Sequence, residues 1–145
     1  MTAIDYMRAQ CSKREYCSED VLSRLKARGS ENPEGDLIVL RSEGYVDDRR
    51  YARCFASDKA RLQGWGPVKI AMQLRCRKIE EPVIAEALEL CSTEDAALRM
   101  EELVSRKWAS LPKEDAYLRR MKTLRYAVGR GYEYDAVMKF LDKLK

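Results

Sequence analysis

Three ten-residue strings in this chain superpose: DVLSRLKARG from Asp20, KIAMQLRCRK from Lys69 and KTLRYAVGRG from Lys122. Laid over one another, they align Leu22 with Ala71 and Leu124, Leu25 with Leu74 and Ala127, and Arg28 with Arg77 and Arg130. The first two arginines are 49 residues apart and the last two 53. The stretch that follows repeats as well, with Ile84 matching Val137 and Leu88 matching Leu141, whereas the first copy carries the polar insertion SENPEG at that point. A period near fifty means that one supersecondary unit recurs, each copy covering the apolar face its neighbour leaves open.

Within each period the apolar residues recur at three and four, as in Ile4, Met7 and Cys11 or Tyr51, Phe55 and Leu62, and no stretch sustains the alternation of a half-buried strand. Gly29, Gly44, Gly64 and Gly131 fall where helices should end, and Pro67 and Pro82 where they should begin. The pattern predicts nine helices, over 2–16, 18–28, 34–43, 48–63, 67–78, 82–91, 94–110, 113–130 and 133–144. Grouped in threes they give an all-α fold: three tandem three-helix repeats, at 1–46, 47–91 and 92–145, forming an elongated, curved array.

A chain of 145 residues that is 46% hydrophobic can bury a core. It has no run of 18 apolar residues, and MTAIDYMRAQCSKRE lacks the basic-then-apolar order of a secretory leader, so a cytoplasmic protein with no membrane partner is expected. The five cysteines form no C-x-x-C pair and are expected as reduced thiols. Histidine is absent, which removes the commonest general base and the most frequent zinc ligand. No G-x-S-x-G, phosphate-binding loop or dinucleotide fingerprint occurs. The expectation is a protein that is not an enzyme, with no catalytic residue and no cofactor.

Charge is distributed in blocks. Residues 1–48 carry 7 basic and 10 acidic side chains, a balance of −3, and residues 49–78 carry 9 and 1, a balance of +8. Residues 79–115 stand at −6 and residues 116–145 at +5. A block at +8 with a single acid is not an ordinary surface, which mixes both signs. At 100° per residue, Arg50, Arg53 and Arg61 fall opposite Tyr51, Phe55 and Leu62 on the fourth helix. On the fifth, Pro67, Ile70, Ala71 and Leu74 make a core face, with Lys69, Gln73 and Arg77 in a stripe beside it; Arg75 projects from the other flank. These six residues, Arg50, Arg53, Arg61, Lys69, Gln73 and Arg77, are the candidate partner- or DNA-binding surface, suited to phosphates or to an acidic protein.

The segment GYVDDRRYA invites a metal or catalytic reading of its two aspartates. Asp47 instead sits where a helix N-cap belongs and Asp48 in the first turn, where negative charge suits the helix dipole. The next acid is Asp58, three turns on, so no metal site is expected. Trp65, between Gly64 and Gly66, is expected to plug a helix junction.

From Glu43 to Leu88 the chain resembles the central repeat of the RecX family, in which G-[YFL]-[IVL]-D-D/E-x-R-[FY]-A precedes a basic helix, G-x-G-P-x-[KR]-I-x-x-x-L and I-x-x-A-L. Gly44, Asp47, Arg50, Tyr51, Gly64, Gly66, Pro67, Lys69, Ile70, Leu74, Ile84 and Leu88 stand at the matching positions. The resemblance implies a small protein of three three-helix repeats that binds the RecA recombinase filament on single-stranded DNA, lodging in its groove. It would inhibit ATPase, strand exchange and coprotease activities and so modulate recombination and the SOS response, without a cofactor and as a monomer. One departure is Lys78, where the family often has glycine. The alternative is a helical module that binds DNA directly, with residues 67–78 as a recognition helix, and competes for the strand.

Overall fold

The second helix of each repeat ends in the same way, and that ending is the turn from which the rest of the repeat is laid out. The computed structural model describes residues 1–91 and 94–144. Among them are nine helices and no strand: α1 (Ala3–Cys11), α2 (Ser18–Ala27), α3 (Pro33–Ser42), α4 (Asp48–Gln63), α5 (Pro67–Cys76), α6 (Glu81–Cys91), α7 (Glu94–Ala109), α8 (Ala116–Gly129) and α9 (Tyr134–Leu141). At the ends of α2, α5 and α8, Gly29, Lys78 and Gly131 take φ of 80°, 58° and 100°. The next amide in each case reaches back to the equivalent carbonyl: Ser30 to Leu25 at 3.0 Å, Ile79 to Leu74 at 3.2 Å and Tyr132 to Ala127 at 3.2 Å. The residue at positive φ also donates to the carbonyl three residues earlier, Gly29 to Lys26, Lys78 to Arg75 and Gly131 to Val128. This is the Schellman arrangement, which satisfies two orphan carbonyls and reverses the chain. Lys78 makes the same turn as the two glycines, with a Cβ that disfavours it.

Two helix ends differ from the sequence pattern. The first helix stops at Cys11 and not near residue 16, with the Ser12 hydroxyl donating to Arg8 O at 2.8 Å. Continued as a helix, Tyr16 would fall about 180° from Met7, on the solvent side. The break lets both Met7 and Tyr16 be buried. The eighth helix begins at Ala116 because Asp115 caps it, its carboxylate accepting from Leu118 N at 3.0 Å. In the polar insertion Asn32 does the same for α3, accepting from Gly35 N at 3.1 Å ahead of Pro33.

The chain divides into two compact units: Met1–Phe55 with Leu74–Ala87, and Ala56–Gln73 with the chain from Leu88 onward. The first is built on Met7, Tyr16, Val21, Leu25, Leu37, Leu40 and Val46. The second is built on Met100, Val104, Leu124, Ala127, Tyr132, Val137 and Leu141. Helix α4 contributes to both, and its buried face drifts accordingly, from Tyr51 and Ala52 to Ala56 and Ala60. Leu62, expected on the core face, is therefore 75% exposed. Pro67, also assigned to a core face, is exposed at the first position of α5, while Ile70, Ala71 and Leu74 are buried as the spacing predicts.

In the second unit the turn between α4 and α5 lies backbone to backbone on the end of α8. Gly66 N donates to Arg130 O at 2.8 Å and Val68 N to Gly131 O at 2.9 Å. A Cβ on Gly66 would stand 2.4 Å from Gly131 O, and one on Gly131 would stand 2.4 Å from Lys69 Cβ. Gly66→Ala should therefore cost about 2 kcal/mol or more in urea unfolding, because backbone and not a flexible side chain is in the way. Lys78→Gly should act the other way, stabilising by about 0.5–1 kcal/mol, seen as a rise in Tm of about 2–4 °C.

Candidate functional site

The two aspartates of GYVDDRRYA are occupied with helix ends. Asp47 accepts from Arg50 N at 3.1 Å and so caps α4. Asp48 accepts from Ser18 N at 2.8 Å, supplying α2 with the cap that its own N-cap residue, Cys17, does not provide. The Arg41 guanidinium stands 3.7 Å from the same carboxylate. No group of three or more His, Cys, Asp or Glu among the described residues could hold a metal ion. The Cys17 thiol, fully buried beneath this cap, is pushed up to about 11 chiefly by burial, so it stays protonated and inert at neutral pH.

The six candidate residues divide between the units. In the first, Arg50 is a clamp: it pairs with Glu15, and its guanidinium donates to Gly44 O at 3.1 Å and Tyr45 O at 3.4 Å. The hydrogen bond with Glu15 holds its pKa above the ordinary arginine value. Arg77 lies 4.8 Å from the centre of the Phe55 ring, and Phe55 stacks on Tyr51 at 5.8 Å. Arg53 is exposed and makes no hydrogen bond or ion pair among the described residues.

In the second unit Arg61 is exposed and bonded loosely within its own helix, to Ser57 at 3.1 Å and Asp58 at 3.5 Å. Lys69 and Gln73 are half-buried. Trp65 is half-buried rather than a sealed plug, with the Lys69 and Lys59 ammonium groups 4.4 and 4.8 Å from its ring. Two of the three α5 stripe residues, Lys69 and Arg77, thus lean on aromatic rings.

The second unit also contains a cleft of about 510 Å³ between the end of α4, one face of α7 and the end of α8. Arg61, Arg99, Arg106, Lys107 and Arg130 line it, with Glu102 as the one carboxylate among its lining residues. Arg130 donates to Gln63 O and Tyr132 to Gly64 O at 3.1 Å, so the wall from α8 is bonded to the wall from α4. Arg99, Arg106 and Arg130 have no ion-pair partner among the described residues, and Arg130 Nε is buried without a hydrogen bond. The charge tally missed this site because residues 79–115 sum to −6. Helical spacing finds it, since Arg99, Leu103, Arg106 and Ser110 fall within one face at 100° per residue.

A family model described as RecX, second three-helix domain, matches residues 47–88, and one described as RecX, third three-helix domain, matches residues 98–141. The chain belongs to the RecX family. The regulatory protein RecX of Pseudomonas savastanoi pv. phaseolicola is 32% identical over 142 residues, covering 97% of this chain and 87% of that one. The regulatory protein RecX of Thermus thermophilus is 30% identical over 131 residues, covering 90% and 83%. A crystal structure of regulatory protein RecX superposes with a TM-score of 0.86 at 22% identity, over 97% of this chain and 70% of that one. RecX from Lactobacillus salivarius also gives 0.86, at 14% identity over 98% and 94%. The all-α, three-helix-repeat fold of the RecX family is therefore this chain's fold, and no helix among its described residues is long and apolar enough to cross a membrane.

Arg50 and Arg53, three residues apart on α4, should separate cleanly in unfolding experiments. Arg50→Ala strips Glu15 and two carbonyls of their donor, and after allowance for its partial exposure should cost about 1 kcal/mol. Arg53→Ala should stay within about 0.5 kcal/mol of the parent in the same urea titration.

Proposed function

We propose that this chain binds the RecA filament assembled on single-stranded DNA and restrains its ATPase, strand exchange and coprotease activities, thereby modulating recombination and the SOS response. The observation that carries the reading is the match of both its second and third three-helix domains to RecX, with relatives called regulatory proteins aligned over nearly the whole chain. In this reading it acts by occupying a surface of the filament.

Arg50, Arg53, Arg61, Lys69, Gln73 and Arg77 form the contact set in this proposal, with unequal roles. Arg53 and Arg61 are the exposed cations and make the contacts. Lys69 and Arg77, leaning on Trp65 and Phe55, offer planar or compact charge from a fixed position, at a smaller entropic cost than a free side chain. Arg50 positions the start of α4. Direct competition for the strand through a recognition helix is less well supported. The start of α5, which such a helix would aim at DNA, is held against the end of α8 by the Gly66 and Val68 amides.

The test is the single-strand-dependent ATPase of the cognate RecA, titrated with this protein at fixed salt. Inhibition is expected at protein levels well below those that coat the DNA. An Arg53→Glu, Arg61→Glu variant should need about tenfold more protein for the same inhibition, each charge reversal at a rim contact removing on the order of 1 kcal/mol, with an unchanged melting curve. Inhibition that sets in only at saturation of the strand would replace filament binding with competition.

A further inference from the structure

The cleft of the second unit holds more uncompensated positive charge than packing requires. Five cations converge on about 510 Å³ with one carboxylate among the lining residues, and three of the four arginines lack an ion-pair partner among the described residues. Like charges gathered in a concavity repel, and a chain needing only stability would disperse or pair them. Arg130 Nε, buried and without a hydrogen-bond partner, is an unmet donor in the same wall. The size suits a nucleotide-scale group, and guanidinium forks match the geometry of phosphate oxygens.

We propose that this cleft binds the phosphodiester backbone of a single-stranded nucleic acid, with Arg99 and Arg106 of α7 taking phosphate oxygens and Tyr126 of α8 meeting a base. Tyr126 is what favours a strand over an acidic peptide. Its ring lines the cleft, is 41% exposed, and has the Lys107 ammonium 5.0 Å from its centre, so that aromatic surface and charge stand together. A base can lie against such a ring while its phosphate reaches the cations, whereas a carboxylate side chain brings no partner for the ring. Arg130 holds the walls together through Gln63 O and is a positioning residue. The assignment concerns the strand itself, and rests on the filament reading only for where that strand is met.

Binding of a short fluorescent oligothymidylate by the whole chain, followed by anisotropy across a salt series, tests this. The parent should bind, and Arg99→Glu, Arg106→Glu should weaken binding about tenfold or more and flatten the log–log salt slope by about 1.4, as loss of two single-strand phosphate contacts requires. Tyr126→Ala should weaken binding to the oligothymidylate but leave binding to an abasic oligomer unchanged. Lys26→Glu, an exposed charge outside both the cleft and the filament contact set, should change neither. A measurement that needs no variant is arginine-specific labelling of the parent: the oligomer should protect Arg99 and Arg106 and leave Arg53 reactive. Equal labelling with and without the oligomer, or competition by polyglutamate as effective as that by unlabelled oligomer, would overturn the assignment. RecA ATPase measured on the same samples keeps the two readings apart. A parent that inhibits RecA but binds no oligomer sinks the cleft alone, and one that binds oligomer without inhibiting RecA sinks the filament reading alone.

Discussion

Backbone contact between Gly66 and Gly131 is the constraint on which the second unit depends. The two glycines allow a turn and a helix end to approach until amides of one bond carbonyls of the other, with no room for a Cβ on either. Backbone bonds of this kind fix direction as well as distance, so the end of α4 and the end of α8 become two walls of one structure. Arg130 and Tyr132, which flank Gly131, then reach Gln63 O and Gly64 O and lock the same junction from the side-chain end. The cleft exists because of this lock: without it Arg61 and Arg130 would have no reason to share a cavity. The first unit uses a different device for the same end, with one carboxylate, Asp48, capping a helix thirty residues before it in the chain.

Charge in this protein is of two kinds, and only position tells them apart. Arg50 and Arg75 sit in the +8 block but are paired, with Glu15 and with Glu81. Arg99 and Arg106 sit in the block of balance −6 and are not paired among the described residues. Block sums measure how much charge a stretch carries, whereas binding depends on how much is left after the fold has used what it needs. Exposed pairs contribute little to stability, so the unpaired residue in a concave place is the one whose charge must be explained by a partner.

The fold was legible because helices announce themselves locally. Positive φ at Gly29, Gly44, Gly64 and Gly131, the N-cap at Asp47 and the start of α5 at Pro67 all follow from single residues with a narrow conformational range. The repeat was legible because Arg28, Arg77 and Arg130 hold one position. What did not show was anything decided between helices. Tyr16 breaks α1 early because a buried site awaits it, Leu62 is exposed because α4 changes the unit it packs in, and the α7 stripe acquires meaning only opposite Arg61 and Arg130. Amphipathic spacing gives a face but not what covers it.

The aligned arginines show how a repeat acquires function without changing its frame. Each sits at the end of the second helix, directly before the residue that takes positive φ. In the first copy Arg28 lies 3.5 Å from the centre of the Tyr6 ring, an aromatic of the helix that opens the repeat, and in the second Arg77 lies over Phe55 in the same relation. In the third, α7 offers no aromatic at that place in the wall; it offers Arg99, Leu103 and Arg106. Arg130 therefore turns to a backbone carbonyl, and its charge, no longer shielded by a ring, joins the others in the cleft. One substitution of partner, ring for carbonyl, converts a packing arginine into a member of a cationic site while the helix ending that carries it stays the same.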